Sequence, residues 1–212
     1  YILSEIIAAG GKSISLIVSD QSAIDAFEEN FVREKGVEEK FKKSGNHIAL
    51  EMLTSIYLPA DVKVDYIIQD APKGLGHAIS LAAAAAPSKH LGVILPDDLV
   101  LATSGDPIIK RVVDQYMRDG GAGNLFLTRE VEDVTRWGII EQGRFKEKPA
   151  VSLSKESSIM FFILDQKVAQ FIHAQMHEAE KTFERNLSEI HYSEFLNQMI
   201  DQDFETMQIR TV

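Results

Sequence analysis

Two hydrophobic periods take turns along this chain. Tyr1, Ile2, Ile6 and Ile7 share one helical face, and Gly10-Gly11 follows as a stop signal. Residues 14–18 then run apolar like a buried strand. A helix is predicted over 22–31, and a charged span over 34–57 predicts helical stretches around a loop at Ser44-Gly45-Asn46. Residues 62–68 read as a strand, followed by an alanine-rich helix ended by Pro87. Residues 91–95 form a short, fully apolar strand that stops at Pro96-Asp97-Asp98. The pattern over 106–119 is helical, with Ile108, Ile109, Val112, Val113 and Tyr116 on its buried side. Residues 124–129 read as a strand, and 138–141 pairs with 144–148 as a hairpin through Gln142-Gly143. A strand over 159–164 precedes a mostly helical remainder to Gln202.

Strands alternating with helices of this length predict an α/β fold, a mainly parallel sheet covered on both faces. Ligands of such sheets sit beyond the carboxyl ends of strands, near a topological switch. That rule selects the loop after Ile68 and the loop after Leu95, and both carry unusual residues.

Composition narrows the classes of partner. Net charge is −10, from 32 acidic and 22 basic side chains, which argues against general nucleic-acid binding. A phosphorylated small molecule is compatible with that charge, because an acidic protein can recruit Mg²⁺ to neutralise phosphate. The chain has no cysteine, which removes disulfides and thiolate zinc sites and fits a reducing compartment. No apolar run approaches the ~20 residues of a membrane span, and no signal peptide is visible, so a cytoplasmic location is expected.

Three motifs carry candidate chemistry. In QDAPKGLGHA, Gln69 offers an amide donor and acceptor that match the imide edge of a pyrimidine. Gly74 and Gly76 would let a flat base lie against the backbone, and the helix N-terminus would face anionic groups. In LPDDL, an apolar strand delivers Asp97 and Asp98 to its carboxyl end. Mg²⁺ takes one or two carboxylates plus phosphate oxygens. The two side chains diverge, and Asp97, directly after the strand, is favoured as the ligand. In WGIIE followed by EKP, Gly138 allows close approach, Glu147 accepts from sugar hydroxyls and Lys148 pairs with phosphate. Each motif alone is also what a proline-glycine turn, an Asx cap or a charged hairpin end looks like. His173 and His177 stand four apart on a helix without an acidic partner, and both read as surface residues.

Taken in order, QDAPKGLGHA, LPDDL, RWGIIE and EKP resemble the bacterial UTP–glucose-1-phosphate uridylyltransferases, within the sugar nucleotidyltransferases. YILSEIIAAG and SEIHYSEFLNQMI are weaker echoes. The resemblance implies a Rossmann-like mixed sheet with helices on both sides. It implies in-line attack by the phosphate of glucose 1-phosphate on the α-phosphorus of UTP, giving UDP-glucose and pyrophosphate. Gln69 and Gly74 then look like uracil contacts, Asp97 like the Mg²⁺ ligand, Gly138 and Glu147 like glucose contacts, and Lys148 like the clamp on the sugar phosphate.

The match has departures. The family opens with a strand and a glycine-rich loop carrying an arginine and a lysine, which have no counterpart here, so the expectation is one domain over 1–212 lacking them. The link between Gly143 and Glu147 is shorter than usual, and Lys155 to Ser158 do not match the family's polar residues. Glu189 and Glu194 fall where the family carries acidic residues, and a solvated helix face is the simpler account of Glu194. A relative using another base or sugar, and a non-catalytic nucleotide-sugar-binding subunit, stay open. So does a homo-oligomer. A dinucleotide oxidoreductase is disfavoured, since Gly74-Leu75-Gly76 lacks the third glycine.

Overall fold

A computed structural model describes residues 1–31, 35–71, 73–85, 89–102, 105–186, 192–201 and 206–210. Glu34, Pro87, Glu189 and Gln202, which carried sequence expectations, lie outside the described residues.

Helix α1 (Ile2–Ala8) leads into strand β1 (Ser13–Val18) and helix α2 (Gln21–Phe31). The charged span folds as α3 (Lys35–Lys43) and α4 (His47–Ile56). Asn46 caps α4 by accepting from Ala49 N at 3.0 Å, which is why the loop breaks there. Then come β2 (Lys63–Ile68), α5 (Leu75–Ala85), β3 (His90–Ile94), α6 (Ile108–Arg118) and β4 (Asn124–Glu130). The hairpin forms as read: β5 (Gly138–Glu141) and β6 (Arg144–Glu147) join through Gln142 at φ 52° and Gly143 at φ 75°, the left-handed pair a tight hairpin needs. The chain continues as β7 (Glu156–Asp165), α7 (Gln166–Asn186), α8 (Tyr192–Asp201) and β8 (Thr206–Arg210).

The sheet is mixed, and the expectation of a mainly parallel one is corrected. β1 and β2 pair in parallel from Ser13↔Lys63 to Val18↔Ile68. In the larger sheet β7 is the spine: it runs antiparallel to β3, β4 and β5. β8 adds to β4 in parallel, and β6 closes the hairpin edge. β3 and β4, joined through α6, do run the same way, as the alternating pattern implies. However, β7 enters between them and opposes both. Apolar periodicity reports burial on both faces, which a central strand shows whatever the direction of its neighbours. A strand inserted from far along the chain is therefore invisible to it. β8 was also unforeseen, because five residues with two apolar positions carry little signal.

β7 and β4 split their side chains between two cores, as period two demands. Phe162, Leu164 and Phe126 face α5, α7 and α8, meeting Ile79, Ile172, Met176 and Leu196. Ile159, Phe161, Ile163, Leu125 and Leu127 face α6, meeting Ile109, Val112 and Tyr116. Tyr116, Phe126 and Phe162 are each at most 1% exposed. At ~25 cal/mol per Å² of apolar surface, each such ring contributes several kcal/mol before entropy is counted.

Candidate functional site

Two groups of residues form at strand ends. The first follows β2, which pairs with β1 and so presents Gln69 beside the end of that strand. Gln69 N donates to Val18 O at 2.8 Å, extending the parallel ladder by one step. The chain then breaks away through Gly74, held at φ 86° in the left-handed region that favours glycine. The Gln69 side chain turns back onto this loop. Its Nε2 donates to Gly74 O at 3.1 Å and stands 3.0 Å from His77 Nδ1. His77 is buried in the first turn of α5.

Gly76 proves to have a different task from the one its motif suggests. A Cβ there would meet Phe195 Cε2 at 3.2 Å and Met176 Sδ at 3.4 Å. The close approach at Gly76 is thus made by α8 and α7, helix against helix, and not by a ligand. Gly74 alone retains the ligand-facing reading.

The second group joins the ends of β3 and β4 to the hairpin. The two aspartates after β3 differ in their surroundings. Arg129 Nη2 lies 3.8 Å from Asp98 Oδ1, whereas the Asp97 side chain stays exposed. Arg129 is itself pinned, its Cζ 4.5 Å above the centre of the Trp137 ring. A guanidinium over an indole face is worth about 0.5–2 kcal/mol, so Trp137 holds the cation where it restrains Asp98. Nothing in the motifs flagged Arg129 or Trp137 as partners, because the contact spans β4 and the following turn. Trp137 leads straight into Gly138, which pairs with Glu147 across the hairpin. Opposite Gly138, where a side chain would begin, stands Glu147 Oε2, 3.5 Å from an added Cβ. Lys148 N donates to Trp137 O at 3.1 Å, and Lys148 Nζ lies 3.7 Å from Glu147 Oε1. Lys148 adopts φ 40°, a left-handed conformation uncommon for a side-chain-bearing residue, and it precedes Pro149.

The loop after Lys148 is tied down by Glu141. Its carboxylate accepts from the Leu153 N at 2.7 Å and also binds Lys146 and Ser152. Those bonds, Lys146 foremost, pull its pKa down to about 2.

α8 links the two groups. Phe195 packs on Gly76, and Asn197 clamps Phe145 with both amide atoms, accepting from Phe145 N and donating to Phe145 O at 2.8 Å each. Phe145 is two residues before Glu147 on the same strand. Glu194 on that helix is exposed, in line with a solvated face. His173 and His177 are exposed too, and His173 Nδ1 lies 2.8 Å from Ser80 Oγ. The loop after Asp98 is braced from α1: Tyr1 donates to Val100 O at 2.6 Å, and the buried Glu5 accepts from Ile109 N at 2.8 Å at the start of α6.

Among the described residues, no cluster of three or more His, Asp or Glu side chains could hold a metal unaided. A single exposed carboxylate at Asp97 fits a cation that draws most of its ligands from water and phosphate. None of the described helices is long and apolar enough to cross a membrane.

Comparison with known proteins agrees with this architecture. A UTP–glucose-1-phosphate uridylyltransferase of Staphylococcus saprophyticus is 25% identical over 190 residues, covering 82% of this chain and 63% of its own length. The chain thus spans less than two thirds of that relative. Among solved structures, a UTP-bound UGPase from Acinetobacter baumannii superposes with a TM-score of 0.76 at 23% identity, covering 100% of this chain and 73% of that one. A UDP-glucose pyrophosphorylase complexed with UDP-glucose gives 0.74 at 21% identity, with 99% and 77% covered. At such identity these two establish the fold. The model of the nucleotidyl transferase family matches residues 1–206, and the chain belongs to that family.

Proposed function

We propose that the protein transfers the uridylyl group of UTP to glucose 1-phosphate, giving UDP-glucose and pyrophosphate. The observation that carries this reading is Gln69, whose amide nitrogen is committed to Gly74 O while Oε1 remains as an acceptor for a base N–H. The uridylyltransferase relative and the UTP- and UDP-glucose-bound neighbours support the choice of substrates.

A sugar-phosphate oxygen attacks the α-phosphorus of UTP in line, and the bond to the bridging oxygen of the β-phosphate breaks. The attacking phosphate is already ionised, so no general base is needed. Alignment and cancellation of charge are the protein's main tasks. Gln69 and Gly74 seat the base. Gly138 leaves room for the hexose, and Glu147 accepts from its hydroxyls. Lys148, raised on a left-handed backbone, pairs with the sugar phosphate. Arg129 keeps Asp98 occupied and leaves Asp97 to bind a divalent cation. Mg²⁺ held there would polarise phosphate oxygens and offset their charge. A single domain in a cytoplasmic setting belongs to the same proposal.

The test is pyrophosphate release by the full-length protein, with UTP against other nucleoside triphosphates and a panel of sugar 1-phosphates. The expected outcome is fastest release with UTP and glucose 1-phosphate. Release that is faster with another pair reassigns the substrates. Binding of nucleotide sugar without release from any pair makes the protein a non-catalytic relative.

A further inference from the structure

A backbone carbonyl only accepts hydrogen bonds, so the Gln69 side-chain atom 3.1 Å from Gly74 O is the amide nitrogen. That same nitrogen lies 3.0 Å from His77 Nδ1. An amide NH₂ has two donors and nothing to accept with, so Nδ1 accepts and His77 carries its ring hydrogen on Nε2. The ring is buried, at 5% exposure. Gly74 O is shared, since Ala78 N also donates to it at 3.4 Å as α5 begins. Gln69 is left with Oε1, an acceptor. Among the described residues the enclosed side-chain polar atom without a partner is Arg129 Nε, so Oε1 is not sealed away.

We propose that His77 is a specificity-determining residue that acts through Gln69. Its unprotonated Nδ1 fixes the amide with Oε1 towards the base, and the site thereby selects nucleobases that present an N–H over those that present a lone pair. The inference rests on the uridylyl reading above. N3 of uracil carries a hydrogen and donates to Oε1. N3 of cytosine is an acceptor and would set lone pair against lone pair. Turning the amide over would invert this preference. Gly74 O opposes the turn, and so does His77 Nδ1 as long as the ring hydrogen stays on Nε2, since each would then face Oε1. Removing Nδ1 leaves one restraint, already shared with the helix.

The experiment is equilibrium binding of UTP and CTP to the full-length protein, unmodified and as His77→Leu and His77→Asn, with folding checked by circular dichroism. Leu fills the space without an acceptor, whereas Asn offers a carbonyl oxygen near the position of Nδ1. The unmodified protein is expected to favour UTP. His77→Leu should lower the UTP-to-CTP preference at least about tenfold, the size of one lost restraint on a buried polar contact. His77→Asn should recover it to within about threefold. A full preference in folded His77→Leu, or a folded His77→Asn as poor as Leu, overturns the assignment. If His77→Leu does not fold, nitrogen NMR of the imidazole decides: Nδ1 should be unprotonated in the nucleotide-free protein, and a hydrogen on Nδ1 refutes the proposal. If the unmodified protein binds neither nucleotide, the uridylyl reading falls and takes this assignment with it. A UTP preference indifferent to His77 removes this assignment alone.

Discussion

The loop after β2 and the end of the β5–β6 hairpin solve opposite problems. Around Gln69 the polar bonds to Gly74 O, His77 and Val18 O close inward, and the histidine among these partners is buried. Around Lys148 the polar groups stay outside. Glu147 and Lys148 are exposed, their ion pair is loose at 3.7 Å, and the backbone is strained at φ 40°. A base edge carries its information in one or two uncharged hydrogen bonds, so the protein group that reads it must be held still beforehand. A phosphate is recognised by charge, which acts over distance, so a solvated lysine on a fixed backbone would suffice for the proposed contact. On the proposed roles, the two ends would divide the work between rigidity of a side chain and rigidity of a main chain, and α8 braces both through Phe195 and Asn197.

The largest expected effect falls at the loop proposed to hold the cation. Asp97→Ala should lower turnover of the full-length protein about 10²- to 10³-fold at fixed Mg²⁺, a loss of several kcal/mol of transition-state stabilisation. Pyrophosphate release measures it, and unchanged turnover puts the cation elsewhere. Lys148→Ala comes next. Losing a charge-assisted contact of ~1.5–3 kcal/mol should raise KM for glucose 1-phosphate about 10- to 100-fold and leave UTP binding largely intact. A selective loss of UTP affinity would exchange the roles of the two regions. Gln69→Ala should weaken UTP about tenfold, the worth of an uncharged bond, without weakening the sugar phosphate. Equal losses of both would dissolve the comparison.

The smallest effect concerns the support of the hairpin. Glu141 has a pKa lowered from 4.5 to about 2, so the stability it adds is fully present above 4.5 and is lost as pH falls through about 2. Glu141→Gln should therefore flatten that part of the acid limb of a urea-unfolding series. If the variant and the unmodified protein lose stability in parallel over that window, Glu141 does not anchor the loop after Lys148.

Most element positions were legible from apolar spacing. Ile108, Ile109, Val112 and Tyr116 are all buried on α6, and the turn at Gln142-Gly143 formed where two residues had to take positive φ. The different surroundings of Asp97 and Asp98, one exposed and one beside Arg129, fit the expectation that only one of the two is open to a ligand. Gly76 misled, since a glycine at a helix start looks alike whether a ligand or another helix approaches it. His77 raised a question that sequence could not answer, for its meaning lies in which ring nitrogen meets Gln69.

By itself, then, the sequence determined where most strands and helices lie, which faces are apolar, and which residues stand at strand ends. These are local properties, written in a period of two or of 3.6 and in the turn chemistry of a few residues. The tertiary structure alone decided that β7 enters between β3 and β4 against both, that Arg129 on its Trp137 cushion lies beside Asp98, and that Gln69 spends its donors inside the protein. Each of these depends on atoms brought together from distant points of the chain, and a hydrogen bond or a strand direction has no value until both partners are in place.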